Sequence, residues 1–405
     1  MSAHPAPGAA RRVSNFELLF DLVFVFAFTQ VTAIMVHGHE VDAGAALPVL
    51  EAVTVLGVLW GVWTSYGWFA NQAGFDRPLL RLGLALAMVF IFVAALAVPN
   101  AFHAVGADAR SAIVFVVCIA ASRVLHAFLM FRAADGDPGQ RRQILITDFS
   151  SLPVTIAALL VGALLGGVVQ VWIWFGAILL DAAIVAVTSI GGSWRIHSPS
   201  HWAERFNLVV MLALGESVVS IGVGVASRPL VWQVVVGAVL SIMGAITLWW
   251  LYFHRISGGA EHALAARAGT ARVDAATVGY TYLHFPVVTG IILTATGIDI
   301  TMQAVASPAP LGWFGAATLS GGIALYQAAT AFFWWRLTGG WLVPRLVVAA
   351  ALLPGIVLWA ALPAMASIAI AVVLGIGLNL VESRMLPKTA AEPPTTVEPA
   401  PLPAP

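Results

Sequence analysis

Long apolar runs, separated by short polar or glycine-containing segments, follow one another along almost the whole chain. A helix that crosses a bilayer needs about 20 predominantly apolar residues. This pattern predicts an all-α fold: a polytopic transmembrane helix bundle of about twelve spans. The predicted spans cover residues 16–38, 46–68, 79–98, 110–132, 144–166, 168–189, 203–226, 230–254, 275–299, 311–334, 341–361 and 362–382.

Composition supports the membrane class. Of the 405 residues, 60% are hydrophobic and 9% are charged, whereas a soluble domain has about 25% charged residues. The first apolar run contains Glu17 and Asp21 and is followed by further spans, so we interpret it as a retained helix rather than a cleaved signal. The single cysteine, Cys118, excludes a disulfide framework within the chain. We expect no metal and no cofactor.

The basic residues are distributed unevenly between alternate loops. The loops opposite the amino-terminal side hold only Arg110 and Arg228. Positive charge is enriched in cytoplasmic loops, so the sequence predicts a multi-pass protein of the cell (plasma) membrane with both termini in the cytoplasm. The loops on the amino-terminal side hold Arg11, Arg12, Arg77, Arg81, Arg132, Arg141, Arg142, Arg195, Arg205, Arg255, Arg267, Arg272, Arg336, Arg345, Arg384 and Lys388.

An internal repeat is visible when the chain is shifted by 186 residues. The segment Phe20–Val23 then falls on Phe206–Val209, and the Trp63/Tyr66 pair falls on the Trp249/Tyr252 pair. We interpret this register as two parallel six-span repeats, residues 13–190 and 191–386, related by an axis along the membrane normal. Residues 1–12 and 387–405, rich in Ala and Pro, are predicted to be disordered. Spans one and seven should face each other.

Polar residues within the apolar runs are the candidate functional residues. A charged side chain at mid-span costs about 3 kcal/mol on insertion scales, so such residues mark pathways or have dedicated partners. Glu216 lies near the middle of span seven, and Gln30 takes the equivalent place in span one. The predicted pathway residues are Glu17, Asp21, Gln30, Arg123, Asp181, Glu204, Arg205, Asn207, Glu216 and His284.

Spacing and neighbours suggest how some of these residues act. Glu17 and Asp21 are four residues apart and therefore share one helix face. Arg123 needs an acidic partner or water, and Asp181, Glu216 or Asp148 could be that partner. An ion pair that only fixes helix packing is the alternative role for Arg123. His284 precedes Pro286, which should break span nine. We expect His284 to face the same interior as Glu216, which should point towards span one and is a candidate proton carrier.

Several activities lack the residues that they require. The chain contains no phosphate-binding glycine loop, no G-x-S-x-G and no H-E-x-x-H motif. We therefore do not expect an enzyme, and nothing indicates nucleic-acid binding. The expected partners are the lipid bilayer and an unidentified small solute or ion, with a homodimer as an open alternative.

Three motifs resemble those of the bacterial low temperature requirement A family. They are S-N-F-E-L-L-F-D-L-V-F-V-F-A-F-T-Q at 14–30, E-R-F-N-L-V-V-M-L-A-L-G-E-S-V at 204–218 and H-F-P-V-V-T-G-I at 284–291. The resemblance implies an integral membrane protein and does not by itself assign an activity. The stretch D-L-V-F-V-F-A-F-T at 21–29 also resembles the first helix of bacterial and lysosomal potassium channels, which lines their pore.

These observations favour a small-solute or proton-coupled transporter. Mid-span carboxylates and a titratable residue beside a helix break are features that transporters use. The alternatives are a cation channel whose pore is lined by spans one and seven, or a membrane scaffold or sensor that transports nothing.

Overall fold

The predicted all-α bundle is confirmed by a computed structural model of the chain, in which the apolar runs form helices. The structure describes residues 12–41, 46–73, 77–102, 109–134, 136–189, 191–226 and 229–385, and contains no strand within them. The predictions of disorder for residues 1–12 and 387–405 concern residues that, apart from Arg12, lie outside this described part.

The first half of the chain contains six long helices. They are α1 (Asn15–Val41), α2 (Leu47–Ala73), α3 (Pro78–Ala97), α4 (Arg110–Ala133), α5 (Pro138–Leu165) and α6 (Gly167–Ser189). A short 3₁₀ turn, Val98–Asn100, extends α3. Large apolar side chains on these helices face outwards, as expected for a surface in contact with lipid: Leu82 is 68% exposed, Phe149 74% and Val187 65%.

The second half contains α-helices interrupted by π-helical turns. The α-helices are α7 (Pro199–Val225), α8 (Trp232–Trp249), α9 (Gly258–Ala265), α10 (Gly269–Asp274), α11 (His284–Ala304), α12 (Gly312–Thr338), α13 (Val343–Ala361) and α14 (Ala364–Met385). The π-helix Trp250–Ser257, called π1, joins α8 to α9, and the π-helix Ala275–Tyr282, called π2, joins α10 to α11.

The irregularity in the ninth predicted span lies earlier than Pro286. The π-helical turns of π2 end at Tyr282, and α11 begins at His284. Pro286 is the third residue of α11, directly after π2, and has no backbone N–H to donate to the preceding turn. The departure from α-helical geometry is the wider turn of π2, which ends before the proline.

Eleven helical segments in the described part of the chain are long and apolar enough to cross a membrane. The π-helices are part of two of them, Trp232–Ala265 and Gly269–Ala304. The 27-residue helix α12 is not among the eleven, although it occupies the place of the tenth predicted span. Its polar residues Thr318, Ser320 and Gln327 lie inside the protein. The count of twelve spans therefore stays a prediction.

Helix α12 is held closely against α11 by glycines. A Cβ atom at Gly297 would lie 2.5 Å from the backbone of Leu319, and one at Gly322 would lie 2.6 Å from the backbone nitrogen of Thr294. Without side chains at these positions the two helix backbones approach each other directly, the packing mode that small residues permit inside membranes. This contact fixes α11, which carries one side of the site described below.

The two halves show the same order of helix neighbours. In the first half α1 packs against α2 and α3, and consecutive helices from α3 to α6 pack in turn. In the second half α7 packs against α8 and α11, and consecutive helices from α11 to α14 pack in turn. Helices α1 and α7 contact each other, as expected from the repeat. The repeat itself remains a prediction, which superposition of residues 13–190 on 191–386 tests.

Candidate functional site

Four ionisable side chains join α1 to α7 near the start of both helices. We call Glu17, Asp21, His201 and Arg205 the ion cluster. His201 Nε2 lies 2.7 Å from Glu17 Oε2, and Arg205 Nη2 lies 2.9 Å from Asp21 Oδ1. Arg205 Nη1 is also 3.6 Å from Glu17 Oε2. All four side chains are at most 1% exposed, so the two halves of the chain meet through buried charges.

Local sequence places these side chains in the first turns of their helices. Ser14 and Glu17 form a capping box, in which the Glu17 backbone N–H donates to Ser14 Oγ and the Ser14 hydroxyl donates to Glu17 Oε1. Ser198 caps α7 and accepts a hydrogen bond from the His201 backbone N–H. The one-turn spacing from Glu17 to Asp21 is repeated from His201 to Arg205. The two pairs therefore meet in one register.

Aromatic rings surround the ion cluster and exclude water from it. Trp63 on α2 donates its Nε1–H to Asp21 Oδ1 over 2.9 Å. The Arg205 guanidinium lies 5.3 Å from the Trp63 ring centre and 5.9 Å from that of Phe20, within the range of cation–π attraction. Phe206 packs edge-on against Trp63. Packed side chains therefore fill the bundle at this end, which we call the Glu17 end.

A second site lies deeper in the bundle, around Glu216. The Thr29 hydroxyl of α1 donates to Glu216 Oε2 over 2.8 Å, which confirms that Glu216 points towards span one. Glu216 is 1% exposed. It lines a cavity of about 170 Å³ between α1, α7 and α11, the Glu216 cavity, whose walls are Thr29, Thr32, Ala33, Val36, His37, Glu216, Ser220, Val223 and Asp299.

The Glu216 cavity opens at the end of the bundle opposite the ion cluster. Ala33, His37 and Val223 are exposed, whereas Glu216 and Asp299 are buried. His37 is near the end of α1, so we call this the His37 end. Asp21 and Thr29 are eight residues apart on α1, or about 12 Å along the helix axis. The cavity floor and the ion cluster are therefore separate sites on the same two helices.

Two buried hydroxyl groups line the cavity wall beside Glu216, those of Thr32 and Ser220, whose residues are 4% and 1% exposed. The Thr32 hydroxyl faces the Glu216 carboxylate and donates to it, whereas Ser220 Oγ has no hydrogen-bond partner within the described structure. Buried polar groups are normally hydrogen-bonded. Together with Glu216 they make the floor of the cavity polar inside an apolar bundle.

His284 lies apart from Glu216, in an aromatic cluster. Its Nδ1 is 3.3 Å from the Gly279 carbonyl, and its Nε2 is 2.7 Å from the Tyr252 hydroxyl. Because the carbonyl can only accept, Nδ1 carries the proton and Nε2 accepts from Tyr252. The ring is buried in the protein interior and contacts Phe206, but it does not line the Glu216 cavity that the prediction assigned to it. Phe206 is ten residues before Glu216, about 15 Å along α7. His284, which contacts Phe206, and Glu216 therefore do not form a direct proton relay.

Arg123 has the acidic partner that its position in the membrane requires. Its Nη2 lies 2.9 Å from Asp181 Oδ1, which also accepts hydrogen bonds from the hydroxyls of Ser151 and Thr155. This group joins α4, α5 and α6 away from both α1 and α7. The structure thus separates Arg123 and Asp181 from the other predicted pathway residues.

The remaining predicted residues lie beside the main sites. Glu204 accepts a hydrogen bond from the Val13 backbone N–H over 2.9 Å and so ties the start of α1 to α7. Gln30 and Asn207 are half-buried. Thr29, the residue before Gln30, makes the hydrogen bond to Glu216.

Sequence reasoning missed His201, Asp299 and the pair Arg345–Glu382. Arg345 Nε and Nη2 donate to the two carboxylate oxygens of Glu382 over 2.7 and 2.8 Å, and both side chains are buried. The charge distribution counts Arg345 among the loop arginines of the amino-terminal side, near the start of the predicted span 341–361. Asp299 and Glu382 could have been found because each is an acid within an apolar run. His201 could have been found from its four-residue spacing to Arg205.

Comparisons with known proteins find relatives over most of the chain. The family model described as bacterial low temperature requirement A protein (LtrA) matches residues 12–380. An uncharacterized protein of Rhizobium meliloti (strain 1021) is 31% identical over an alignment of 327 residues, which covers 78% of this chain and 75% of that protein.

Proposed function

The chain belongs to the bacterial low temperature requirement A (LtrA) family, and from this premise we propose that it is a proton-coupled transporter of a small solute. It is a multi-pass membrane protein. The observation that carries the proposal is the position of the Glu216 cavity, which opens at the His37 end and stops at a buried carboxylate. A carboxylate kept at that depth is typical of ion and proton pathways.

The ion cluster supplies the second element that a transporter needs, a barrier on the other side of the solute site. Transport by alternating access requires a site that is open to one side while it is closed to the other. The cavity is open at the His37 end, and the Glu17 end is filled by the ion cluster and its aromatic neighbours. We propose that the ion cluster separates when the cavity opens to the Glu17 side.

The orientation in the membrane is part of the proposal. The arginine distribution assigns the Glu17 end to the cytoplasm, so the state described here opens outwards. Proton exchange would occur at Glu216, whose titratable neighbours across the cavity are Asp299 on α11 and His37 on α1. Transport rather than catalysis is the proposed activity.

The test is flux into sealed vesicles that contain the purified protein and a pH-sensitive dye. A mixture of small metabolites and ions is added outside while a pH gradient is imposed. We expect uptake that saturates with solute concentration and dissipates the pH gradient. Flux that rises linearly with concentration and does not saturate would instead support the cation channel, whose pore α1 and α7 would line.

Matched variants separate proton coupling from folding. Glu216→Gln should retain normal expression and lose the solute-driven pH change, because the amide cannot carry the proton. Glu51→Gln is the control, since Glu51 is also a buried membrane carboxylate but does not line the cavity. It should leave coupling unchanged. Unaltered coupling in a well-expressed Glu216→Gln protein contradicts the proposal.

A further inference from the structure

We infer that the Glu216 cavity binds a small organic cation, a compound with an ammonium group and a short hydrocarbon portion. The inference deepens the proposed transport function by naming the class of solute, and it rests on that function for the role of the cavity. Four features of the cavity support it: volume, charge, buried hydroxyl groups and an apolar wall.

The volume fits a molecule rather than a bare ion. The cavity measures about 170 Å³, slightly more than the roughly 150 Å³ of an apolar protein cavity that holds benzene. A solute of about six non-hydrogen atoms therefore fits. In the described part of the chain, no group of three or more His, Cys, Asp or Glu side chains could hold a metal ion.

The charge of the lining favours a cation. The nine residues of the wall include two carboxylic acids, Glu216 and Asp299, and neither lysine nor arginine. His37 is the one basic side chain among them, and it lies at the exposed mouth. An anionic solute would have to approach both acids, whereas a cation is attracted to them at a depth where water screens charge poorly.

The hydroxyl groups match the hydrogen-bonding capacity of an ammonium group. Such a group has three N–H donors and no acceptor. Glu216 provides one acceptor, and the buried Ser220 Oγ, which has no partner within the described structure, provides a second. Thr32 Oγ1 donates to Glu216, and its lone pairs provide a third acceptor. A bound ammonium group would satisfy the otherwise unpaired Ser220 oxygen. Ala33, Val36 and Val223 form the apolar part of the wall and would contact the hydrocarbon portion.

The test is direct binding of n-butylammonium to the full-length protein in detergent, measured by calorimetry, with n-butanol and butyrate as probes of the same chain length. We expect binding of n-butylammonium and no binding of the other two. Glu216→Gln should abolish it. Thr32→Val and Ser220→Ala retain the charge and nearly the same volume, and each should weaken binding about tenfold, because hydrogen bonds to charged groups are the stronger ones.

Ser217→Ala is the matched control. Ser217 is next to Glu216, is fully buried and also has an unpaired hydroxyl, but it does not line the cavity. This variant should bind n-butylammonium as the unaltered protein does. Equal binding of n-butanol and n-butylammonium would overturn the inference. The inference would also be overturned if Ser217→Ala weakened binding as much as Thr32→Val and Ser220→Ala do. Thr32→Val and Ser220→Ala remain informative even if Glu216→Gln does not fold.

Binding and flux are measured separately, so the two proposals can fail separately. Saturable, proton-coupled uptake of other solutes without binding of n-butylammonium would overturn the organic-cation inference and leave the transporter proposal in place. Binding of n-butylammonium by a protein that gives no flux would support the site and contradict the transporter.

Discussion

The guanidinium of Arg205 on α7 lies 2.9 Å from the carboxylate of Asp21 on α1, and each side chain is 1% exposed. The two residues are 184 positions apart in the chain. Buried ion pairs add little stability compared with apolar residues of the same shape, but loss of one partner leaves an uncompensated charge. The pair therefore makes α1 and α7 depend on each other.

Asp21→Asn should reduce the free energy of unfolding by about 3 kcal/mol, because Arg205 remains buried without its closest carboxylate. The double variant Asp21→Asn/Arg205→Met should lose less than the sum of the two single changes. Unfolding of the purified protein in detergent measures both effects.

The exposed pair Arg336–Asp274 is the control for this prediction. Its side chains are 26% and 60% exposed, and exposed ion pairs contribute at most about 1 kcal/mol. Asp274→Asn should therefore change unfolding only slightly. A loss in Asp21→Asn no larger than that in Asp274→Asn would contradict a structural role for the buried pair.

Gly297→Ala should destabilise the bundle by about 1–3 kcal/mol, the usual effect of overpacking. The new methyl group would lie 2.5 Å from the Leu319 backbone, so α11 and α12 would have to separate. Gly377→Ala on α14 is the matched change, since nothing lies within 4 Å of a Cβ atom there. Unfolding in detergent compares the two variants, and equal stability would refute the close approach of α11 and α12.

A cross-link between positions 17 and 201 should stop transport reversibly. The side chains of Glu17 and His201 meet at 2.7 Å, and the proposed cycle requires them to separate. Glu17→Cys and His201→Cys are combined in a Cys118→Ser background and treated with a reducible bifunctional thiol reagent.

Vesicle uptake should stop after cross-linking and recover after reduction. Each single-cysteine variant, treated in the same way, controls for modification without a link. Undiminished uptake by fully cross-linked protein would show that α1 and α7 remain together at this end throughout the cycle.

Thiol labelling can establish whether α12 crosses the membrane. Ser307 and Thr338, near its two ends, are both exposed, and we expect Ser307→Cys and Thr338→Cys in a Cys118→Ser background to react from opposite sides of sealed vesicles. This outcome would give twelve spans with both termini on one side. Reaction of both positions from the same side would instead give eleven spans and opposite termini.

Much of the fold could be predicted from hydrophobicity because a span is a local property of the sequence. The helices cover the predicted apolar runs, and Glu17 and Asp21 share a face as their spacing predicts. The partners of these acids could not be predicted in the same way. His201 and Arg205 are four residues apart like Glu17 and Asp21, but their pairing depends on the register in which two distant helices pack.

Only part of the surroundings of Glu216 could be predicted from the sequence, because the packing of distant helices determines the rest. The repeat register places Glu216 opposite span one, and the observed contact is with Thr29, one residue before Gln30. Asp299 completes the cavity from α11, a helix that the register does not bring to Glu216. Pro286 indicated an irregular helix near His284, but proline chemistry could not predict the π-helical turns that precede it.

The π-helices π1 and π2 determine which side chains face inwards beyond them. A π-helical turn closes hydrogen bonds from residue i to i+5, so it contains one residue more than an α-helical turn and shifts the phase of all later positions. Each residue of an α-helix turns the chain by about 100°. A helical wheel drawn through 232–265 without a break would therefore misplace Tyr252 relative to Leu264. Deletion of one residue within π1 would return this segment to α-helical geometry. The helix on one side of π1, α8 or α9, would then rotate by about a quarter turn, and the Tyr252–His284 contact would be lost.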